Sequence, residues 1–260
     1  SFTGRKRPVS KTFESPKNQS ERRFAQIMNT ADVVEIFSSI QGEGPHIGER
    51  HLFLRLCGCN LRCSFCDTPF DKTEKAAVYT NNGISYLKNP VSTGKLAEEI
   101  NNFNNINHSY LSITGGEPLL HHKFLKDLIP MIHLPVYLET NGTLYHELEN
   151  IINLVSVISA DIKLPSSTGQ TSFFGEHKKF LETANKYNKE IFFKVVVTSK
   201  ITEDEIQQLH DFSKLSDLII QPVNSDDDTL KISQDKLFYL MDKIPGARVI
   251  PQCHKFLNIM

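Results

Sequence analysis

From residue 32 onward the chain alternates short runs rich in β-branched and aromatic residues with longer stretches in which apolar residues recur every three or four positions. The runs at 32–38, 51–57, 109–114, 135–139, 155–161, 191–197, 217–221 and 247–250 have the length and composition of strands. The stretches 93–104, 122–133, 144–153, 173–188, 202–213 and 229–243 carry helical spacing. Strands alternating with helices predict an α/β fold of βα units around a parallel sheet, rather than an all-β or all-α fold. Residues 72–92 fit neither period and read as an irregular connection. No repeat or low-complexity tract interrupts the series.

The polar residues are placed as regularly as the apolar ones. TGGEP (114–118), ETNG (139–142), ADIK (160–163), Thr198–Ser199, QPVN (221–224) and PQCHK (251–255) each follow a predicted strand. In parallel α/β sheets and barrels the ligand site lies at the carboxyl ends of the strands, so these clusters are expected to converge on one rim. The bland alternative at each position is a polar residue that only caps the next helix.

Composition narrows the class. Apolar residues make up 39% of the 260 and charged residues 23%, with a net charge of −1, which excludes a disordered polyelectrolyte. No apolar run approaches the ~20 residues of a membrane span, so no membrane partner is expected. Residues 1–27 hold seven basic residues against Glu14 and Glu21 and lack apolar periodicity. They read as a disordered basic extension or a cloning remnant, Met28 being available as a start, with a nucleic-acid arm or an organellar leader as alternatives. Their net +5 leaves −6 on residues 28–260, expected to form a single domain too acidic for direct nucleic-acid binding.

Five cysteines sit at 57, 59, 63, 66 and 253. The odd total and the clustering do not suit a disulfide scaffold, and no secretory h-region is present, so a cytoplasmic location with metal or redox chemistry is expected. Cys59, Cys63 and Cys66 are spaced by three and then two residues directly after the run HLFLRL. Three thiolates around a four-iron cluster leave one iron open to a ligand, whereas electron-transfer ferredoxins use four. The alternative is a closed zinc knuckle that recruits Cys57, although one intervening residue between Cys57 and Cys59 matches zinc pairs poorly. Otherwise Cys57 packs as a small apolar residue.

The Cys-x3-Cys-x2-Cys spacing, with Phe65 just before the last Cys and Thr114-Gly-Gly-Glu-Pro118 about fifty residues on, resembles the radical S-adenosylmethionine superfamily. Glu35-Ile-Phe-Ser-Ser-Ile-Gln-Gly-Glu-Gly44, Arg55, Gly58-Cys-Asn-Leu-Arg-Cys63, Cys66-Asp-Thr68, ETNG, DIKLPS and Pro251-Gln-Cys-His-Lys255 together resemble the family of 7-carboxy-7-deazaguanine synthases, from about residue 32 to the C-terminus. The resemblance implies a partial, incomplete parallel β/α barrel. It also implies a lyase that turns 6-carboxy-5,6,7,8-tetrahydropterin into 7-carboxy-7-deazaguanine and ammonia in deazapurine (queuosine) biosynthesis. Implied cofactors are a [4Fe-4S] cluster, S-adenosylmethionine and Mg2+.

Residue by residue, the resemblance assigns the cluster to Cys59, Cys63 and Cys66 and the magnesium to Thr68. S-adenosylmethionine is expected at Phe65, Cys66, Asp67, Gly116, Glu117, Ser159, Asp161, Lys163, Gln221, Pro222, Val223 and Asn224. Asp67 can instead cap its loop. Substrate is expected at Ile40, Gln41, Gly42, Glu43, Arg55, Thr114 and His254, because a flat, carboxylated pterin needs an Arg for its carboxylate and amide or acid groups for its ring edge. His121 and His122 read as helix-start surface. Implied partners are a flavodoxin- or ferredoxin-type electron donor and a second copy in a homodimer. Rival readings are a glycyl-radical activating enzyme, which QGEG and PQCHK disfavour, and a non-catalytic zinc-binding module.

Overall fold

The computed structural model describes residues 29–64, 66, 72–225, 227–257 and 259. The basic segment 1–27 and the expected site residues Phe65, Asp67 and Thr68 lie outside the described residues. The strands are β1 (Thr30–Ala31), β2 (Val33–Ile40), β3 (Arg50–Leu56), β4 (Lys75–Thr80), β5 (Gly83–Lys88), β6 (Val91–Ser92), β7 (Tyr110–Gly115), β8 (Val136–Thr140), β9 (Val157–Ile162), β10 (Glu190–Val197), β11 (Leu218–Pro222) and β12 (Arg248–Val249). The helices are α1 (Thr93–Asn101), α2 (His122–Leu128), α3 (Tyr145–Leu148), α4 (Pro165–Thr168), α5 (Phe174–Lys186), α6 (Glu203–Ser213), α7 (Gln234–Lys243) and α8 (Cys253–Leu257).

Ten strands share one sheet in the order β12-β11-β10-β9-β8-β7-β3-β2-β4-β5. Every pairing from β12 to β3 is parallel, as the βα alternation predicts, whereas β2 runs antiparallel to β3. The sheet ends at β12 and β5 without closing on itself. The stretch 72–92 is a correction: it holds the β4–β5 hairpin, turned at Asn81-Asn82-Gly83 and extending the sheet beyond β2. An Asn-Gly pair between short alternating runs is a hairpin signal, but β5 is nearly all exposed and so has no apolar face to announce it.

Helices α3 and α7 are shorter than their apolar spacing suggested; α7 begins only where Ser233 accepts a hydrogen bond from the Lys236 N–H. At α6 the cap is reciprocal, with Thr202 and Glu205 each satisfying the other's backbone N–H.

Strand periodicity divides the buried residues between two faces. Outward-facing Leu52, Leu54, Leu111, Ile113, Leu138, Ile158, Phe193, Val195 and Ile220 pack with Leu96, Phe124, Phe180, Leu209, Phe212 and Leu240 of the helices in one large core. Inward-facing Tyr137, Val157, Phe192 and Ile219 form a second, small cluster joined by Tyr110. The inside of the arc is thus apolar mainly near the strands' starts, with Val196 of β10 an apolar residue nearer the carboxyl end.

Buried His177 of α5 ties the outer layer to the β8 turn through Nε2, which donates to the Asn141 carbonyl at 3.0 Å, while Nδ1 has no partner among the described residues. Burial holds its imidazole down from 6.5 to about 4. The unfolded chain therefore takes a proton that the folded chain rejects, so this contribution is full above about pH 6.5 and fades as pH falls toward 4. Urea unfolding at pH 7 and pH 5 is expected to show a smaller acid loss in His177→Gln than in the parent, by on the order of 1–2 kcal/mol. Equal losses in the two proteins remove His177 from the acid response.

Candidate active site

Along each parallel strand the inward positions change character toward the carboxyl end. The sequence on β3 is His51, Phe53, Arg55; on β8 Tyr137, Glu139; on β9 Val157, Ser159, Asp161; on β10 Phe192, Lys194 and then apolar Val196; on β11 Ile219, Gln221. Aromatic rings make a dry base, and charged groups stand above it around a cavity of about 270 Å³. Five of the six strand-end clusters predicted to form the rim line this cavity; Thr198–Ser199 does not, Thr198 being buried and Ser199 donating to the carbonyls of Thr229 and Leu230.

The β2–β3 loop crosses the arc from the side. Its neck is closed by the Gln41 N–H donating to Glu49 O (2.7 Å) and the Gly48 N–H donating to Gln41 O (2.9 Å). His46 fills the base, with its ring against Tyr110, Tyr137 and Phe192. Gly44, at φ +66°, lies against Phe192 where a Cβ would strike the ring. Above the base, Gln41 donates to Glu139 (2.9 Å) and accepts from the Glu43 N–H (3.0 Å). Glu43 pairs with Lys194 and accepts from Gln221 (3.1 Å) and Gln252 (2.7 Å). Burial works against ionisation of Glu43, but Lys194 and Gln252 outweigh it and hold the carboxyl at about 2. The C-terminal segment seals the loop from outside: the Cys253 N–H donates to Gly42 O (2.9 Å), and His254 packs where a Gly42 side chain would stand.

The cysteine loop is seated by the turns after β7, β8 and β9. From TGGEP, the Gly116 N–H donates to Leu56 O (3.2 Å) and the Glu117 N–H to Gly58 O (2.8 Å). From ETNG, Asn141 Nδ2 donates to Asn60 (2.8 Å) and lies 3.8 Å from Cys59 Sγ. After β9, the Ser64 N–H and hydroxyl donate to the carbonyls of Thr168 and Ser167, both at 3.0 Å. Burial raises the Cys59 and Cys63 thiols, opposed by the Leu61 N–H at Cys59 and by Lys163 at Cys63.

Sequence and shape place this site among known proteins. The Radical SAM superfamily matches residues 54–213. A 7-carboxy-7-deazaguanine synthase of Geobacter sulfurreducens is 38% identical over 245 residues, covering 88% of this chain and 97% of that protein. The chain belongs to the 7-carboxy-7-deazaguanine synthase family. Another synthase, from Methanopyrus kandleri, is 31% identical over 88% of this chain and 94% of its own length. The crystal structure of QueE from Escherichia coli superposes with a TM-score of 0.58 at 19% identity, covering 86% of this chain and 95% of that one, so the fold is the partial barrel of radical SAM proteins.

A radical SAM enzyme uses a [4Fe-4S] cluster and S-adenosylmethionine, and the residues present fit them. Cys59, Cys63 and Cys66 all line the cavity. The Leu61 N–H points at Cys59 Sγ (3.4 Å), and Lys163 lies on the same wall, donors suited to the negative charge of a thiolate-bound cluster. Cys57 is buried and does not line the cavity, so the four-cysteine zinc knuckle is not assembled.

The cavity also gathers Ile40, Gln41, Gly42, Glu43, Arg55, Thr114, Gly116, Asp161, Lys163, Gln221, Val223, Asn224 and His254. Glu117, Ser159 and Pro222, expected at the cofactor, do not line it. The Glu117 carboxylate is fully buried and accepts from Leu119 N (2.9 Å), Thr140 Oγ1 (2.8 Å) and Asn141 N (2.7 Å), tying the TGGEP turn to ETNG. Burial pushes its pKa up to about 7 against the pull of those hydrogen bonds. Ser159 points inward but lies fully buried below the cavity, and Pro222 faces away between Gln221 and Val223. His121 is a further correction: its Nε2 donates to the Cys57 carbonyl at 2.7 Å and so holds the cysteine loop.

Glu139, Asn141, Lys194 and Gln252 also line the cavity, beyond the site residues expected from the sequence. Three of them stand in the strand-end clusters ETNG and PQCHK. Lys194 had one signal, a lysine in the middle of the apolar run EIFFKVVV.

A Cβ at Gly116 would strike the Gly58 carbonyl and come within 2.9 Å of Cys59 Cβ. Gly116→Ala is therefore expected to unseat the cysteine loop and lower the iron bound per chain after anaerobic reconstitution, while far-UV circular dichroism stays at the parent's level. Full iron content in the variant contradicts this seating.

Proposed function

We propose that the chain converts 6-carboxy-5,6,7,8-tetrahydropterin to 7-carboxy-7-deazaguanine with loss of ammonia, the activity that its family membership implies. The supporting observation is a single cavity lined both by Cys59, Cys63 and Cys66 and by Gln41, Glu43 and Arg55. Thiolates for a cluster and polar groups for a carboxylated heterocycle thus line the same cavity. When bound, the cluster held by Cys59, Cys63 and Cys66 and S-adenosylmethionine would supply reductive radical chemistry at the pterin.

The chain's own residues bind and orient. Gly116, Asp161, Lys163, Gln221, Val223 and Asn224 take the cofactor on this reading, with Phe65 and Asp67 beside Cys66. Thr68 supplies a hydroxyl for Mg2+, a hard oxygen ligand for a hard cation. Arg55 takes the pterin carboxylate: Glu35 holds its Nε at 2.8 Å, and the guanidinium lies over Phe37, itself stacked on Phe53 at 5.0 Å, which together fix the guanidinium plane. Gln41, Glu43, Thr114 and His254, with the backbone at Ile40 and Gly42, meet the ring. The aromatic base of Tyr110, Tyr137, Phe192 and His46 excludes water from below, where it would compete with the polar contacts above.

The electron comes from a flavodoxin- or ferredoxin-type protein, and the working unit is a homodimer in the cytoplasm. Among the described residues no helix is long and apolar enough to cross a membrane.

Anaerobic turnover of the cluster-loaded protein with S-adenosylmethionine, reductant and 6-carboxytetrahydropterin is expected to yield the deazapurine; active protein that cleaves the cofactor but forms no deazapurine refutes the substrate assignment. Arg55→Ala is expected to keep reductive cofactor cleavage and to weaken pterin binding by about 2–5 kcal/mol, as for a lost partner of a buried charge. Unchanged pterin affinity takes Arg55 out of the site.

A further inference from the structure

Lys194 lies midway along β10 and is 4% exposed, with Phe192, Phe193, Val195 and Val196 around it in the strand. A lysine so placed is tolerated only when carboxylates surround it. Its ammonium pairs with Glu43 and stands 3.5 Å from Asp161 Oδ1. Burial works against its charge, but Asp161 and Glu43, then Glu139, hold it protonated. Asp161 is its cross-strand neighbour in the parallel β9–β10 register, so the sheet itself sets that spacing.

Glu43 has no such fixed frame, because it projects from a loop. Among the described residues its Oε1 accepts from both Gln221 and Gln252, and its Oε2 accepts from Lys194. Two amides saturate one oxygen. Lys194 supplies the only ionic partner among these and leaves Oε2 one further acceptor direction. Without that cation, burial would favour the neutral acid, which offers a donor where the N–H edge of a pterin requires an acceptor.

We infer that Lys194 is a positioning residue for substrate recognition: anchored on β9 by Asp161, it holds Glu43 ionised and aimed at the N–H edge of the pterin ring. The inference rests on the pterin reading of the site and adds to it a residue outside every strand-end cluster. It makes the β10 lysine act through Glu43, with no contact of its own to substrate.

The test is equilibrium binding, without turnover, of fluorescent 6-carboxypterin to the full chain and to K194M, K194R, E43Q and the double variant K194M/E43Q. Expected are a loss of roughly tenfold or more in K194M, substantial recovery in K194R, and a double variant no weaker than E43Q alone, the non-additivity of residues that act as one unit. Wild-type affinity in K194M alongside a weakened E43Q overturns the role of Lys194 and leaves the pterin reading standing. Wild-type affinity in E43Q overturns both. Additive losses in the double variant also overturn the proposal, since a merely structural lysine would weaken binding independently of Glu43. Thermal melts check folding, and K194Q replaces K194M in the cycle if the latter is insoluble.

Discussion

A buried charge inside a partial barrel must find its counter-charge, and that requirement organises the interior here. Lys194 is fixed to the sheet by its strand, so the groups that neutralise it must come to it. Asp161 arrives on the neighbouring strand. Glu43 arrives on the β2–β3 loop. Gln252 reaches the same carboxylate from the chain's C-terminal end and carries Cys253 and His254 against Gly42. The loop, the C-terminal segment and the strand floor are thereby joined through one ion pair and its hydrogen bonds.

The cysteine loop follows a different logic. Among its described residues from Asn60 to Ser64 only Leu61 is a buried hydrophobe, and polar contacts carry much of its attachment. Hydrogen bonds from three successive βα turns supply those contacts, and the glycines of TGGEP are there because the turn and the loop approach at backbone distance. Glu117 completes the arrangement from behind by fastening the β7 turn to the β8 turn. Two of the elements that identify the superfamily in sequence are thus also the elements that position the cluster-binding thiols, which is why the short motifs carry so much information.

Much of the fold was legible because its physics is local. The outer faces of β3 and β7–β11 are apolar, and the helices between strands carry their own period and caps, so the parallel arc could be read from residue 32 to residue 250. The β4–β5 hairpin could not be read in the same way, since β5 is exposed and its pairing partner β4 supplies the apolar residues. The site was legible where polar residues interrupt a strand's end. It was illegible where a residue's role depends on a partner far along the chain: Glu117 and Asp161 look alike as strand-end carboxylates, but one turns inward to Thr140 and Asn141 and the other faces the cavity. Spacing cannot separate those two outcomes, because they depend on which way the turn after the strand folds back.

The same loop that presents Gln41 and Glu43 also supplies His46 to the aromatic base, three residues further on. Packing at the bottom of the arc and recognition at the top are therefore not independent. His46 is held by Glu49 at 2.9 Å, and Glu49 also lies 3.5 Å from the fully buried His51, whose Nδ1 meets Ser112 at 2.7 Å. Burial holds the His51 imidazole down at about 4, so this ring stays neutral at physiological pH and the base stays free of an uncompensated cation. A densely packed base gives the loop, itself closed by backbone hydrogen bonds, a rigid footing. The aromatic packing of His46 thus steadies the base of the loop, while Lys194 and its partners fix Glu43 above it.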